Sequence, residues 1–375
     1  MDRTGTSGSE EKGDCYVEVT LDSENLEIDI QSKVEKLYGK SIRKTVKETL
    51  KRFGIKKGVI RVRDKGAYDF VISARLEAAL LKAGVKIEND RIEMGKEREI
   101  KLRRTRLYLP GNNPKLLFDG SIFDCDCVIL DLEDSVKIDD KIDARILVRN
   151  ALFEIKYRQE RMVRVNPLPL GEEDLKEILK TDVDTILIPK VETKLQLEKF
   201  TEIIEKYESE YKKDKKVRVI PIIETALGLE NAFEIASHER VVAMTFGAED
   251  YLADVGGERS NEALFYLRSR ILNAAKAWKK QALDTVFPNV NDEKGLEEET
   301  RLIKGMGYDG KGIIHPRQAE IIHRVFTPSD EEYKKAKRII EAFERSKGVV
   351  AIDGRMIDLP VVKRAQKIVD LYEGR

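Results

Sequence analysis

Histidine is scarce in this 375-residue chain: His238, His315 and His323 are the full set, and no two of them make an H-x-x-x-H or similar metal spacing. Chemistry built on a zinc site or a Ser-His-Asp triad is therefore disfavoured. Cysteine is equally thin, with Cys15, Cys125 and Cys127. The last two form a C-x-C pair in a strand-like run, where alternation predicts that both face the same way. Buried free thiols are the commoner outcome of such a pair, a metal or redox role the rarer one. No apolar run approaches the roughly 20 residues needed to cross a bilayer, and the N-terminus has no signal-peptide core, so a soluble, cytoplasmic protein is expected. An excess of either charge is also missing: Lys+Arg and Asp+Glu are both 69, which favours neither nucleic acid nor a membrane surface as partner. Neither G-x-G-x-x-G after the first strand nor G-x-x-x-x-G-K-[ST] is found, so nucleotide binding has no motif behind it.

What is present suggests two domains, the natural prior at this length, and 41% hydrophobic residues suffice for packed cores. The first dozen residues, MDRTGTSGSEEK, are small and polar and are expected to be mobile. Cys15 to Leu21 and Leu26 to Ile30 alternate like a hairpin, Val34 to Phe53 and Val71 to Ala83 have helical spacing and stop at Gly54 and Gly84, and Gly58 to Arg63 is another strand. This predicts a small α+β domain over residues 1–98, with a charged connector at 88–98. From residue 99 the rhythm changes to short apolar strands alternating with amphipathic helices. Candidate strands are Leu107 to Leu109, Val128 to Leu132, Met162 to Val165, Thr185 to Ile188, Val217 to Ile222, Val242 to Phe246, Asp284 to Phe287 and Gly312 to Ile314. Eight strands in such alternation indicate a (β/α)₈ TIM barrel over 99–375, with a C-terminal extension from about 329.

The barrel reading directs attention to the residues just past each strand, because that edge carries the chemistry of such folds. Glu224 and Asp250 each end an apolar run, and two hard oxygen ligands from successive strands can hold Mg²⁺ or Mn²⁺. In so charged a chain two unrelated loop acids are as good a reading of the spacing alone; Gly228 and the Gly247-Ala248 pair, which leave room for a ligand, tip the balance. Arg164 is the only arginine among the strand ends, suited to gripping a substrate carboxylate through two hydrogen bonds, or to a plain salt bridge. Asp131, Glu133 and Asp134 read as acids oriented by Arg145 or Arg164, and Lys190 as ion-paired rather than as a Schiff-base amine.

At these residues the chain resembles the citrate lyase β subunit and its HpcH/HpaI-type relatives. The resemblance is carried by LYLPGNNPKLL, VILDLEDSVKIDDKIDAR, RVNP, PIIETALGL, FGAEDYLADVG, GYDGKGIIHPRQ and DGRMIDLP, in order along the second domain. It implies that Glu224 and Asp250 ligate Mg²⁺, that Arg164, with Asn166 of the same RVNP segment, binds the keto-acid part of the substrate, and that Asp358 serves the enolate from an adjacent subunit of a homo-oligomer. The first domain resembles the citrate lyase γ subunit, an acyl carrier, through LEIDIQSKVEKLYGKSIRKTVKETL and DKGAYDFVISARLEAAL. That carrier holds a phosphoribosyl dephospho-CoA arm on a serine two places before an aspartate. Here Lys12 stands in that place before Asp14, and a shifted reading brings in Ser9 or Ser7, of which Ser9 is the expected attachment site.

The activity implied is Mg²⁺-dependent cleavage of a citryl thioester to oxaloacetate and an acetyl thioester, with a small-molecule acyl thioester as substrate and a citrate lyase α transferase subunit as partner. Cleavage of free malyl-CoA or citramalyl-CoA is the first alternative. A non-catalytic carrier and scaffold subunit is the alternative of another class, against which the joint presence of Arg164, Glu224, Asp250 and Asp358 speaks.

Overall fold

The computed structural model describes residues 3–86, 91–96, 98–99, 102–346, 350–352 and 355–374. The first module is a four-stranded sheet in the order β1-β2-β4-β3, built from β1 (Thr4–Ser7), β2 (Cys15–Thr20), β3 (Leu26–Ser32) and β4 (Gly58–Asp64), and covered by α1 (Glu35–Arg52) and α2 (Asp69–Lys82). Val17 and Val19 of β2 and Ile60 and Val62 of β4 alternate inward and pack against Ile42, Val46 and Leu50 of α1 and Leu76 and Leu80 of α2. Two expectations are corrected here. Residues 15–21 and 26–30 are not a hairpin: β4 lies between them, antiparallel to β2 and parallel to β3, because α1 carries the chain from β3 across to β4. Nor is the N-terminal segment loose, since Thr4–Ser7 pairs antiparallel with β2.

α2 is buried all round, which a helix on one module's surface would not be. Ile72, Leu76, Ala79 and Leu80 belong to the first module's core, whereas Phe70, Val71, Ala74 and Ala78 join the core between the barrel strands and their helices. The small module is thereby docked on its own barrel, against the helix Lys141–Glu154. The connector expected at 88–98 lies partly outside the described residues.

The second module is a closed barrel of eight parallel strands in sequence order: β5 (Thr105–Pro110), β6 (Cys127–Asp131), β7 (Glu160–Arg164), β8 (Thr185–Ile188), β9 (Arg218–Ile223), β10 (Ala243–Phe246), β11 (Gln281–Val286) and β12 (Gly310–Ile313). Closure is made by β12 pairing with β5. The strands are short, largely apolar and buried on both faces, as a barrel sheathed in helices requires. Cys127, Ile129, Met162, Leu187, Ile220, Ile222, Ala243 and Leu283 fill the bore. Beyond the barrel, the helices Asp330–Ser346 and Leu359–Glu373 pack on each other through Ala336, Ala365 and Val369, flanking the small hairpin β13 (Val350–Ile352) and β14 (Arg355–Ile357). No helix among the described residues is long and apolar enough to cross a membrane.

Candidate active site at the barrel mouth

Parallel strands leave the barrel on one edge, so side chains at their C-terminal ends converge. They line a cavity of about 450 Å³ that includes Tyr108 and Pro110 from β5, Asp131 from β6, Arg164 from β7, Glu224 after β9, Gly247 to Asp250 after β10, and Thr285 from β11. Arg164, Glu224 and Asp250 are thus brought together. The lining holds the carboxylates of Asp131, Asp134, Glu224, Glu249 and Asp250 against the guanidiniums of Arg106 and Arg164, a surplus of negative charge that a cation would offset.

Glu224 is 3% exposed, and its Oε2 accepts the Lys190 backbone N–H at 2.7 Å. That N–H is aimed by a left-handed turn, with Lys190 at φ 52°. Burial first, then the nearby Glu133, with Asp250 adding to it, pushes Glu224 up to about 8 despite the Lys190 N–H and Arg164. A Cβ on Gly247 would come within 2.7 Å of Glu224 Oε1, so the bare glycine keeps that oxygen clear. Asp250 is exposed in the first turn of the helix Ala248–Val255. Buried and exposed carboxylate oxygens of this kind are the donors that Mg²⁺ takes, so the residues fit such an ion. Among the described residues no three His, Cys, Asp or Glu side chains converge into a closed cage. Two carboxylates suffice for Mg²⁺ when water and substrate supply the other ligands.

Arg164 is tied into acids on both edges. Its Nε and Nη2 donate to Asp131 at 2.7 and 2.8 Å, while Nη1 meets Glu133 at 2.8 Å and the exposed Asp134 at 3.1 Å. Burial opposes its charge, but Asp131, joined by Tyr108 and Glu133, outweighs this and raises its pKa. Arg145, the other partner expected for these acids, is bound instead to Asp174 at 2.7 Å. Lys190 Nζ pairs with Glu133 at 3.1 Å, the ion-paired arrangement.

Three expected site residues lie elsewhere. Asn166 is buried, its side-chain N–H groups donating to the Leu132 carbonyl at 2.9 Å and Asp174 at 2.7 Å, and it is not among the cavity's lining residues. Asp358 caps the C-terminal helix, accepting the Val361 N–H at 3.2 Å, and does not line the cavity of its own chain. Ser9 is half-buried after β1 and donates to Asp14 Oδ2 at 3.0 Å; Ser7 is 3% exposed. Asp14 in turn accepts two hydrogen bonds from Arg75, both 2.9 Å, and Arg75 Nη2 reaches the carbonyl of Asn112 in the loop after β5. The cysteine pair does not face one way: Cys125 precedes β6 and packs outside the barrel, Cys127 inside it. Burial pushes the Cys125 thiol up to about 12 and raises Cys127 well above its ordinary value, so neither is a thiolate at neutral pH. Arg106, inward-facing on β5, falls outside the strand expected from Leu107; Tyr108 lies within that strand but carried no sequence signal of a place in the cavity.

Comparison with known proteins bears on this geometry. The citrate lyase subunit beta of Leuconostoc mesenteroides subsp. cremoris is 40% identical over 282 residues, covering 72% of this chain and 93% of its own. The mitochondrial citramalyl-CoA lyase of Homo sapiens is 35% identical, covering 72% and 85%. A crystal structure of CitE from Mycobacterium tuberculosis with magnesium, acetoacetate and coenzyme A superposes with a TM-score of 0.63 at 30% identity, covering 72% of this chain and 98% of that one. Residues 2–83 match the acyl-carrier family described as malonate decarboxylase delta subunit (MdcD). The match to HpcH/HpaI aldolase/citrate lyase spans residues 104–316, more than half the chain and all of the barrel strands from β5 to β12, and the protein belongs to that family.

Proposed function

We propose that the chain is a Mg²⁺-dependent carbon-carbon lyase that cleaves a citryl thioester to oxaloacetate and an acetyl thioester. The observation that carries this reading is the convergence of Arg164, Glu224 and Asp250 on one acid-rich cavity. Glu224 and Asp250 would hold the ion, which when bound supplies a Lewis acid for the oxygen that becomes the keto group. Asp131 keeps the Nε edge of Arg164 oriented, while the exposed Asp134 on Nη1 is the partner that a substrate carboxylate can replace. When the carbon-carbon bond breaks, its electron pair passes into the thioester enolate. Asp358 from an adjacent copy of the chain protonates that carbon, the hydroxyl proton passes to solvent and Asp358 is reprotonated from solvent, so the overall change moves one proton from oxygen to carbon. Asn166 acts here by bracing the loop after β7 through Asp174 rather than by touching substrate.

The first module supports a tethered substrate. Ser9 is the more accessible of the two candidate serines, and the links Ser9–Asp14–Arg75–Asn112 run from it to the loop that follows β5 at the mouth. A CoA-like arm on Ser9 would raise the local concentration of thioester there, a transferase subunit serving to load it. Intact mass of protein purified from its native cell should show an adduct of arm size that Ser9→Ala abolishes; an unmodified chain would leave free CoA thioesters as the substrates. Lys12, exposed where the attachment serine is expected, favours that second reading, cleavage of free citramalyl-CoA. Purified protein given each thioester separates the two. Oxaloacetate release from citryl-CoA that EDTA stops and Mg²⁺ restores is expected, and faster turnover of citramalyl-CoA would overturn the citryl assignment.

A further inference from the structure

Arg106 is 1% exposed in the bore of the barrel, one of the largest fully buried side chains in the protein. It points inward from β5 because that strand alternates, with Leu107 and Leu109 facing the outer core and Tyr108 facing in. Its Nη2 donates to Thr245 Oγ1 at 3.2 Å and to the Asp284 carbonyl at 2.8 Å. Its Nε and Nη1 are buried and have no hydrogen-bond partner. The Asp284 carboxylate is turned away, held by Arg268 at 2.9 Å and Lys311 at 2.6 Å, and no acid among the described residues pairs with Arg106. A guanidinium does not shed its charge in a protein, so this is a buried cation with three N–H hydrogens unanswered, a costly arrangement. Yet it forms part of the floor of the cavity that Arg164 and Glu224 line.

We propose that Arg106 binds a second carboxylate of the substrate, so that the cavity selects a thioester whose released keto acid is a dicarboxylate over one whose keto acid carries a single carboxylate. The inference rests on the lyase reading above. Tyr108 lies between the two guanidiniums along the strand, with Arg164 over its ring at 5.3 Å, and Arg106 sits one inward position, about 7 Å along the strand, below it. A four-carbon keto diacid carries its carboxylates at opposite ends, one for the arginine at the mouth and one for the arginine in the floor. A methyl group in place of the second carboxylate would leave Arg106 buried and unanswered, and a water could satisfy an N–H but not the charge.

The test uses the full chain with Arg106→Met, which keeps length and fits an apolar bore, and Arg106→Gln as the second variant should the first not fold. Turnover of citryl-CoA and citramalyl-CoA is measured with Mg²⁺, alongside calorimetric binding of oxaloacetate and pyruvate. The expected result is a fall of about 100-fold in the citryl to citramalyl ratio of kcat/KM, the size of one charge-assisted pair, with a matching loss of oxaloacetate over pyruvate preference. An unchanged ratio overturns the proposal, whether both substrates slow equally or neither does. If the unsubstituted protein cleaves neither thioester, the lyase reading fails and the binding arm decides: a preference for oxaloacetate that Arg106→Met erases upholds the role of Arg106, and any other binding result overturns it.

Discussion

E224Q is expected to lower kcat for thioester cleavage by about 10³-fold, several kcal/mol of lost charge stabilisation, while leaving the fold intact and abolishing the response to Mg²⁺. Glutamine is nearly isosteric and can still accept the Lys190 N–H, so the turn after β8 keeps its anchor. What it cannot do is ionise. In the folded chain burial, joined by Glu133 and Asp250, pushes Glu224 up to about 8 from the ordinary 4.5. Between those two values the folded state retains a proton that the unfolded state has released, so stability falls as pH rises through the window and is level above it. Metal-free wild type should therefore lose Tm relative to E224Q from about pH 5 to pH 8. A cation on Glu224 must displace that proton, so Mg²⁺ should bind more tightly as pH rises toward 8 and raise Tm most at the upper end. Thermal melts at pH 6, 7 and 8, with and without Mg²⁺, check both halves. Equal Mg²⁺ stabilisation of wild type and E224Q would remove Glu224 from the metal site.

The residues of this test were legible because a barrel converts linear position into location. Any acid or arginine just past a buried β-branched run lands at the mouth, which is how Arg164, Glu224 and Asp250 could be picked out. Asn166 obeyed the same rule and still missed the cavity, because Asp174, eight residues on, captures both its side chain and its backbone N–H. Arg106 was missed for the opposite reason. A charged residue beside an apolar run reads as the end of a strand, yet Thr105–Pro110 is all strand and the charge lies in the bore. The false hairpin shows what alternation does and does not carry: it tells which face a residue occupies, whereas the partner strand is set by the path of α1. Composition failed at Thr4–Ser7, where small polar residues are needed for close packing rather than freedom. A Cβ on Gly5 would fall 2.0 Å from the Ala79 carbonyl oxygen of α2.

The docking of the small module through α2 carries the second large prediction. Glu77 is fully buried on α2, accepting from Arg52 of α1 at 2.6 Å and from Arg149 of the barrel helix Lys141–Glu154, itself fully buried. Removing one member of such a pair leaves the other charge with less than it was folded around, and E77A should destabilise the chain by about 3–5 kcal/mol. Arg149 retains Glu177 and Asn150, and Lys82 retains Asp143 at 2.7 Å, so the loss should fall at the lower end of that range and on the interface more than on the barrel. One denaturant transition in wild type should become two in E77A, the small module unfolding first, since half of its second helix is packed as barrel core. The mouth is built from β5 to β12 and the segments just past them, with no lining residue from the small module, so turnover of a free CoA thioester should survive, whereas turnover of an arm carried on Ser9 should drop as Asp14 and Arg75 lose their hold on the loop at Asn112. A single transition at the wild-type midpoint would mean that the shared helix does not hold the two modules together, and that the apolar contacts of Phe70, Val71, Ala74 and Ala78 with the barrel are enough without the buried charges.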